Sequence, residues 1–231
     1  MSSILDNLQA VHAQIHSAAQ SAARDPAGIA LLAVSKTFGP EAVLEAAQAG
    51  QRAFGENYLQ EAVDKITALH ASHPEYLLEW HFIGPIQSNK TRPIAEHFSW
   101  VHSVEREKIA QRLSEQRPAH LPPLNVCLQV NVSGEASKSG VAPDQLLQLA
   151  QTVAGMPRLK LRGLMAIPEP SADYEQQRAP LRQMRALFDQ LRAEGLDLDT
   201  LSMGMSADLQ AAVVEGATIV RIGSAIFGKR T

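Results

Sequence analysis

The sequence predicts an α/β fold: a single (β/α)8 TIM-type barrel with an extra N-terminal helix, one domain over residues 1–231. Three observations lead there. Eight short apolar or β-branched runs alternate with segments of helical period. The chain has 231 residues, close to the roughly 250 that such a barrel usually takes. Polar and glycine residues also recur just after each run, at what would be one end of a parallel barrel. Strand–helix repetition implies parallel strands with right-handed crossovers. A doubly wound open sheet is the structural rival.

The elements follow in order. Ile4, Leu8, Val11 and Ile15 make one stripe of a first helix. The strands are expected at Ala30–Val34, Arg52–Phe54, Glu79–Ile83, Trp100–Ser103, Asn125–Val130, Leu161–Ala166, Thr200–Met203 and Thr218–Ile222. The second and fourth rest mainly on their place in the alternation. One helix follows Gly39–Pro40 and ends at Gly50. Another starts near Pro143, carries Leu146, Leu149, Ala150 and Val153, and stops at Gly155. A long helix through Leu181, Met184, Phe188 and Leu191 stops at Gly195. The last internal helix takes Ser206 as its N-cap, holds Leu209 and Val213, and ends at Gly216. The stretch from Pro168 to Pro180 reads as a loop over the mouth or the first turn of a helix.

Composition narrows the function. Apolar residues make up 45% of the chain, enough for a sizeable core, and the net charge of −3 argues against a dedicated nucleic-acid binder. The single cysteine, Cys127, allows no internal disulfide and fits a reducing compartment. The start of the chain has no signal-peptide pattern. The apolar run Ile29–Val34 is far shorter than the roughly 20 residues that span a bilayer. The expectation is a cytoplasmic protein with no membrane and no nucleic-acid partner.

In parallel α/β folds the chemistry sits at the carboxyl ends of the strands. Lys36 leaves the first strand just after Leu31-Leu32-Ala33-Val34. In an apolar mouth, desolvation disfavours its ammonium, and a neutral amine can attack an aldehyde to form a Schiff base. A strand-end lysine snorkelling to solvent is the plainer alternative. The turns Gly204–Ser206 and Gly223–Ser224 follow the last two strands, where barrels often hold phosphate on helix amides. Arg221, inside the eighth strand, needs an acceptor. It can pair with a carboxylate such as Glu56 or donate to a ring nitrogen of a bound cofactor. No metal is expected: His12 and His16 lack further ligands, and a solvated helix face explains them. Cys127 reads as a small buried apolar residue. Lys229–Arg230 is a tail too short to imply nucleic acid.

Six ordered motifs carry a resemblance that spans nearly the whole chain. They are LLAVSKT around Lys36, FGENY from Phe54, EWHFIGPIQSNK from Glu79, RGLMAI from Arg162, SMGMSAD from Ser202 and RIGSAIFG from Arg221. With them the sequence resembles the pyridoxal phosphate homeostasis protein family, itself similar to the N-terminal barrel of alanine racemase. The resemblance implies pyridoxal 5′-phosphate (PLP) as a covalent imine on Lys36. It implies the phosphate at the Ser206 turn and the Gly223–Ser224 turn, and Arg221 facing the pyridine nitrogen. Asn57 and His81 would line the pocket near the lysine, with Met165 and Met203 close to the ring. Lys65 and Lys90 would be surface lysines able to form incidental imines.

The resemblance also sets the expected activity. Arginine donates to the pyridine nitrogen without giving it a proton, so the ring stays a poor electron sink. Alanine racemase makes the same choice, but takes a tyrosine acid/base from a separate domain. The tyrosines here are Tyr58, Tyr76 and Tyr174, none beyond the barrel. The expectation is therefore a carrier that sequesters and delivers PLP in vitamin B6 and amino-acid balance, with little or no turnover. It would be monomeric, with apo PLP-dependent enzymes as recipients. A weak amino-acid racemase is the alternative. A PLP-dependent docking protein and a Schiff-base aldolase acting on a sugar phosphate are further rivals.

Overall fold

The computed structural model describes residues 3–133 and 139–228. Eight parallel strands close into a barrel in chain order: β1 (Ala30–Val34), β2 (Ala53–Glu56), β3 (Glu79–Phe82), β4 (Trp100–Val104), β5 (Leu124–Gln129), β6 (Leu159–Met165), β7 (Thr200–Ser202) and β8 (Ile219–Ile222). The ring shuts where β1 meets β8, with Ala30 opposite Ile219 and Ala33 opposite Ile222. The open-sheet alternative is excluded by that pairing.

α1 (Ile4–Ser21) precedes the barrel, and the stripe Leu8, Val11 and Ile15 is buried. Its start is a capping box: Ser3 Oγ accepts from the Asp6 amide while Asp6 accepts from the Ser3 amide. After each strand comes a helix: α2 (Pro40–Gln48), α3 (Leu59–Ser72), α4 (Thr91–His97), α5 (Glu107–Gln116), α6 (Leu146–Ala154), α7 (Tyr174–Ala193), α8 (Leu209–Val214) and α9 (Ser224–Phe227). α7 begins at the Asp173 cap, whose carboxylate accepts from the Gln176 amide, so Pro180 lies well inside the helix. The loop expected from Pro168 therefore ends at Asp173.

Two sequence expectations are corrected. The second strand lies one to two residues later than Arg52–Phe54, because Gly55 and Glu56 pair with His81 and Phe82. α8 starts at Leu209, not after Ser206: the Asp208 carboxylate turns back to accept the Met205 amide at 2.6 Å, and residues 206–208 form a turn.

Strand alternation sorts the side chains into two cores. Leu31 and Ala33 join the large apolar layer between strands and helices, whereas Leu32 and Val34 point inward with Ile83 and Ile219. Trp100, Cys127 and Met165 form a second cluster apart from that layer. Branched aliphatic residues usually fill such an interior. Here His81, His102, Ser202 and Arg221 share it, all buried.

Among the described residues no helix is long and apolar enough to cross a membrane. His12 and His16 are exposed on α1. Lys229 and Arg230 lie outside the described residues.

Candidate functional site

The site is built from the carboxyl ends of β1, β2, β6, β7 and β8. Lys36 stands half-buried in the turn after β1. Its neighbours are fixed on both sides. Ser35 Oγ donates to Glu56 Oε1 at 2.6 Å, and the Thr37 amide donates to Glu61 Oε1 at 2.7 Å. Thr37 sits at φ 70°, a left-handed conformation that a β-branched residue adopts only under constraint. Phe38 packs on Phe227 of α9, ring centroids 5.2 Å apart, tying this loop to the end of the barrel's last unit.

Behind the lysine turn lies a buried charge cluster. Lys65 is 3% exposed. Its Nζ donates to Glu56 Oε1 at 2.7 Å, to the Ser35 carbonyl at 3.0 Å and to Glu61 Oε1 at 3.2 Å. It is therefore not the surface lysine that the sequence suggested. Burial pushes the Glu56 carboxyl up, and Lys65 and Ser35 pull it back down. Glu56 is thus committed to Lys65 and does not pair with Arg221. Among the described residues the buried side-chain polar atoms without a partner are Glu56 Oε2 and Asn57 Oδ1, on successive residues where β2 ends. A buried acceptor left open marks a place where a ligand donor fits.

The opposite wall comes from β7 and β8. Gly223 follows β8 so closely packed on β1 that a Cβ there would lie 3.1 Å from the Val34 carbonyl oxygen. A side chain there would crowd the end of the strand that leads into Lys36, so glycine lets the α9 start sit close against it. Gly204 adopts φ +97°, and its carbonyl accepts the Arg221 amide at 2.9 Å. Ser224 opens α9, while Ser206 is exposed in the turn before α8. Met165 is buried inside the barrel; Met203 points the other way, into the layer shared with the helices, as strand alternation from Ser202 requires.

Arg221 is 5% exposed. One Nη donates to Ser202 Oγ and the other to the Ala166 carbonyl, each at 2.8 Å. Burial pushes its guanidinium down to about 10, and Asp208 counteracts part of that, so it stays a cation at neutral pH. Ser202 Oγ in turn lies 2.7 Å from His102 Nδ1, His102 Nε2 lies 2.8 Å from His81 Nδ1, and His81 Nε2 lies 2.8 Å from Glu79 Oε1. His81 therefore faces Glu79 and His102 and lines a cavity of about 270 Å³ at the amino ends of the strands. Its ring nitrogens are thus both engaged away from the turn that carries Lys36, and it connects instead, through His102 and Ser202, to Arg221. Sequence reasoning gave His102, Ser202 and Glu79 no role. The signal was there: Glu79-x-His81 and Trp100-x-His102 place the polar groups on one face of each strand.

A closed barrel with a lysine after its first strand and glycine turns after its last two defines a class, the alanine racemase N-terminal barrel; that domain's family model matches residues 7–231. The pyridoxal phosphate homeostasis protein of Pseudomonas aeruginosa is 64% identical over 100% of this chain and 97% of its own, and that of Vibrio cholerae is 59% identical over 100% and 98%. The chain belongs to the pyridoxal phosphate homeostasis protein family. PipY of Synechococcus elongatus, solved with PLP bound, is 35% identical with a TM-score of 0.84, covering 97% of this chain and all of that one. Alanine racemase of Corynebacterium glutamicum shares the fold at 16% identity and a TM-score of 0.68, over 96% of this chain and 60% of the racemase.

Proposed function

We propose that this protein binds PLP through an imine on Lys36 and acts as a cytoplasmic carrier that sequesters and releases the cofactor. The observation that carries the reading is the approach of β1 to the Gly223 turn, which sets an amine-bearing strand end against a glycine-built wall. The residues present fit the group. The Lys36 amine would take the aldehyde. Amides at the starts of helices have no carbonyl partner within the helix, so the Gly223–Ser224 turn, with the Ser206 turn, would receive the phosphate. Arg221 would donate to the pyridine nitrogen, and Asn57 Oδ1 would accept from the ring hydroxyl. When bound, PLP supplies an electrophilic aldehyde and an electron sink. A donor arginine leaves that sink weak, which supports holding and exchange over turnover. Met165 would lie below the ring inside the barrel.

Recipients would be apo PLP-dependent enzymes, reached by exchange of the imine with free amines, and the carrier would work as a monomer. The test is borohydride reduction of the protein incubated with PLP, followed by peptide mass mapping. The expected label is on Lys36 and is lost in Lys36→Ala. A label confined to other lysines would overturn the assignment. Steady turnover of a chiral amino acid, abolished by Lys36→Ala, would replace the carrier by a racemase.

A further inference from the structure

We propose that Glu79, His81, His102 and Ser202 form a one-directional hydrogen-bond relay that positions the Arg221 guanidinium toward the ligand from the far end of the barrel. The inference rests on the reading that Arg221 faces the cofactor ring, although the relay itself is a property of the protein alone.

The direction follows from the two ends. An ionised carboxylate only accepts and a guanidinium only donates. Glu79 Oε1 therefore requires a proton on His81 Nε2. A neutral His81 then has a bare Nδ1, which can only accept, so His102 must carry its proton on Nε2. A neutral His102 leaves Nδ1 bare, and Ser202 must donate its hydroxyl hydrogen there. The Ser202 oxygen is then turned to accept from Arg221. Each link fixes the next, and no alternative arrangement satisfies both charged ends while the rings are neutral. Burial supports the neutral rings: it pushes both imidazoles down, and His81 and Arg221 lower His102 further. Hydrogen bonding to His81 holds Glu79 low, with Arg162 and Trp100 helping, so the carboxylate is ionised.

The relay is also held mechanically. The His81 ring stacks on Trp100 with centroids 5.2 Å apart and planes 6° apart, and the Arg162 guanidinium covers Trp100 at 4.6 Å. Arg162 is itself fixed by Asp199. At the other end Asp208 and Cys127 are the titratable groups that act on Arg221. Glu79 is half-exposed at the amino-end cavity, while Ser202 and Arg221 are buried. A solvent-facing carboxylate at one end of the barrel thereby orients a buried cation near the other. Bonds aligned in one sense polarise each other, so the serine oxygen becomes a better acceptor for Arg221 than an isolated hydroxyl would be.

The decisive test uses the cofactor-free protein. Nitrogen-15 NMR of labelled histidine should find both His81 and His102 neutral with the proton on Nε2. Glu79→Ala, at a half-exposed position, should turn both rings into tautomer mixtures and speed exchange of the Arg221 Nη hydrogens by about tenfold. In a Ser202→Ala background, Glu79→Ala should no longer change Arg221 exchange, because the link is already cut. In PLP-loaded protein, the visible band of the Glu79→Ala variant should shift from that of the parent. A wild-type His102 protonated on Nδ1, a charged ring at neutral pH, or additive effects of the two substitutions would overturn the relay. An unmoved visible band alongside altered tautomers would overturn its coupling to the cofactor. Failure of the parent protein to take up PLP would instead strike the Lys36 reading and leave the cofactor-free measurements standing.

Discussion

Mild acid should destabilise this barrel through its two interior imidazoles. Burial pushes His81 below its ordinary range, against the pull of Glu79, and pushes His102 well below it, with His81 and Arg221 adding to the effect. In the unfolded chain each ring takes a proton around pH 6.5. Below that point the unfolded state binds up to two more protons than the folded one. The sign is therefore a stability present above about pH 6.5 and lost as pH falls toward the folded values. Each unmatched proton contributes about 1.4 kcal/mol per pH unit, so the pair can cost on the order of 2–3 kcal/mol between about pH 7 and pH 5.5. That is an upper bound, reached if both rings stay neutral throughout. Glu79 and Asp199, whose carboxyls are held low, add losses of the same sign at lower pH. The assay is urea unfolding in half-unit pH steps, comparing the parent with His102→Gln. The parent slope should approach two protons and the variant slope about one. A flat parent profile, or equal slopes in both proteins, would refute the assignment of buried neutral rings.

Two further outcomes follow from buried groups. Lys65→Met should destabilise by about 3–5 kcal/mol, since it strands the Glu56 carboxylate, and adding Glu56→Gln should recover part of that; a shift below about 1 kcal/mol in urea unfolding would mean the pair is not desolvated. Cys127 is buried inside β5 with its thiol pushed up to about 12, so iodoacetamide should leave it unmodified in the folded protein and label it in urea, as mass spectrometry would show.

The barrel was legible because each unit writes two periods in turn, and because glycines stop the helices where the chain must reverse. β2 was the weakest reading for a physical reason. Its Ala-Phe-Gly-Glu sequence carries a glycine and a charge that strand propensity disfavours, and what rescues it is remote: Lys65 from α3 and Ser35 just after β1. Lys36 was visible from its place after an apolar run. Ser206 was misread as a cap because Asp208, two residues on, competes for the same turn through its own carboxylate. Met203 followed from the motif resemblance, whereas the alternation that places Ser202 inward already sends it outward. The histidine relay was hidden by distance: three of its four links join residues 21, 100 and 19 positions apart. Pattern shows which residues face inward; it does not show which of them meet.

Those interior residues separate the demands of stability from those of function. A barrel interior packed with branched aliphatics would avoid every desolvation cost that His81, His102 and Arg221 incur. Glu56, equally buried, has its cost offset by a direct ion pair with Lys65. Among the described residues Arg221 has no such pair: its side chain is held by a serine hydroxyl and a carbonyl, and the carboxylate of Asp208 acts on it only through space. Lys65 and Arg221 are thus treated differently, one neutralised by a carboxylate and one held by neutral acceptors, as is the buried Arg117, whose guanidinium donates to the Pro122, Ala95 and Phe98 carbonyls. A neutralised cation secures the loop that presents Lys36. Arg221, in the proposed relay that begins at the half-exposed first residue of β3, would have donor capacity to offer a ring or anion at the mouth. The polar interior is therefore best understood as a support for the proposed ligand site, at a desolvation cost that grows in mild acid, where the rings of the unfolded chain take up protons and the buried ones resist them.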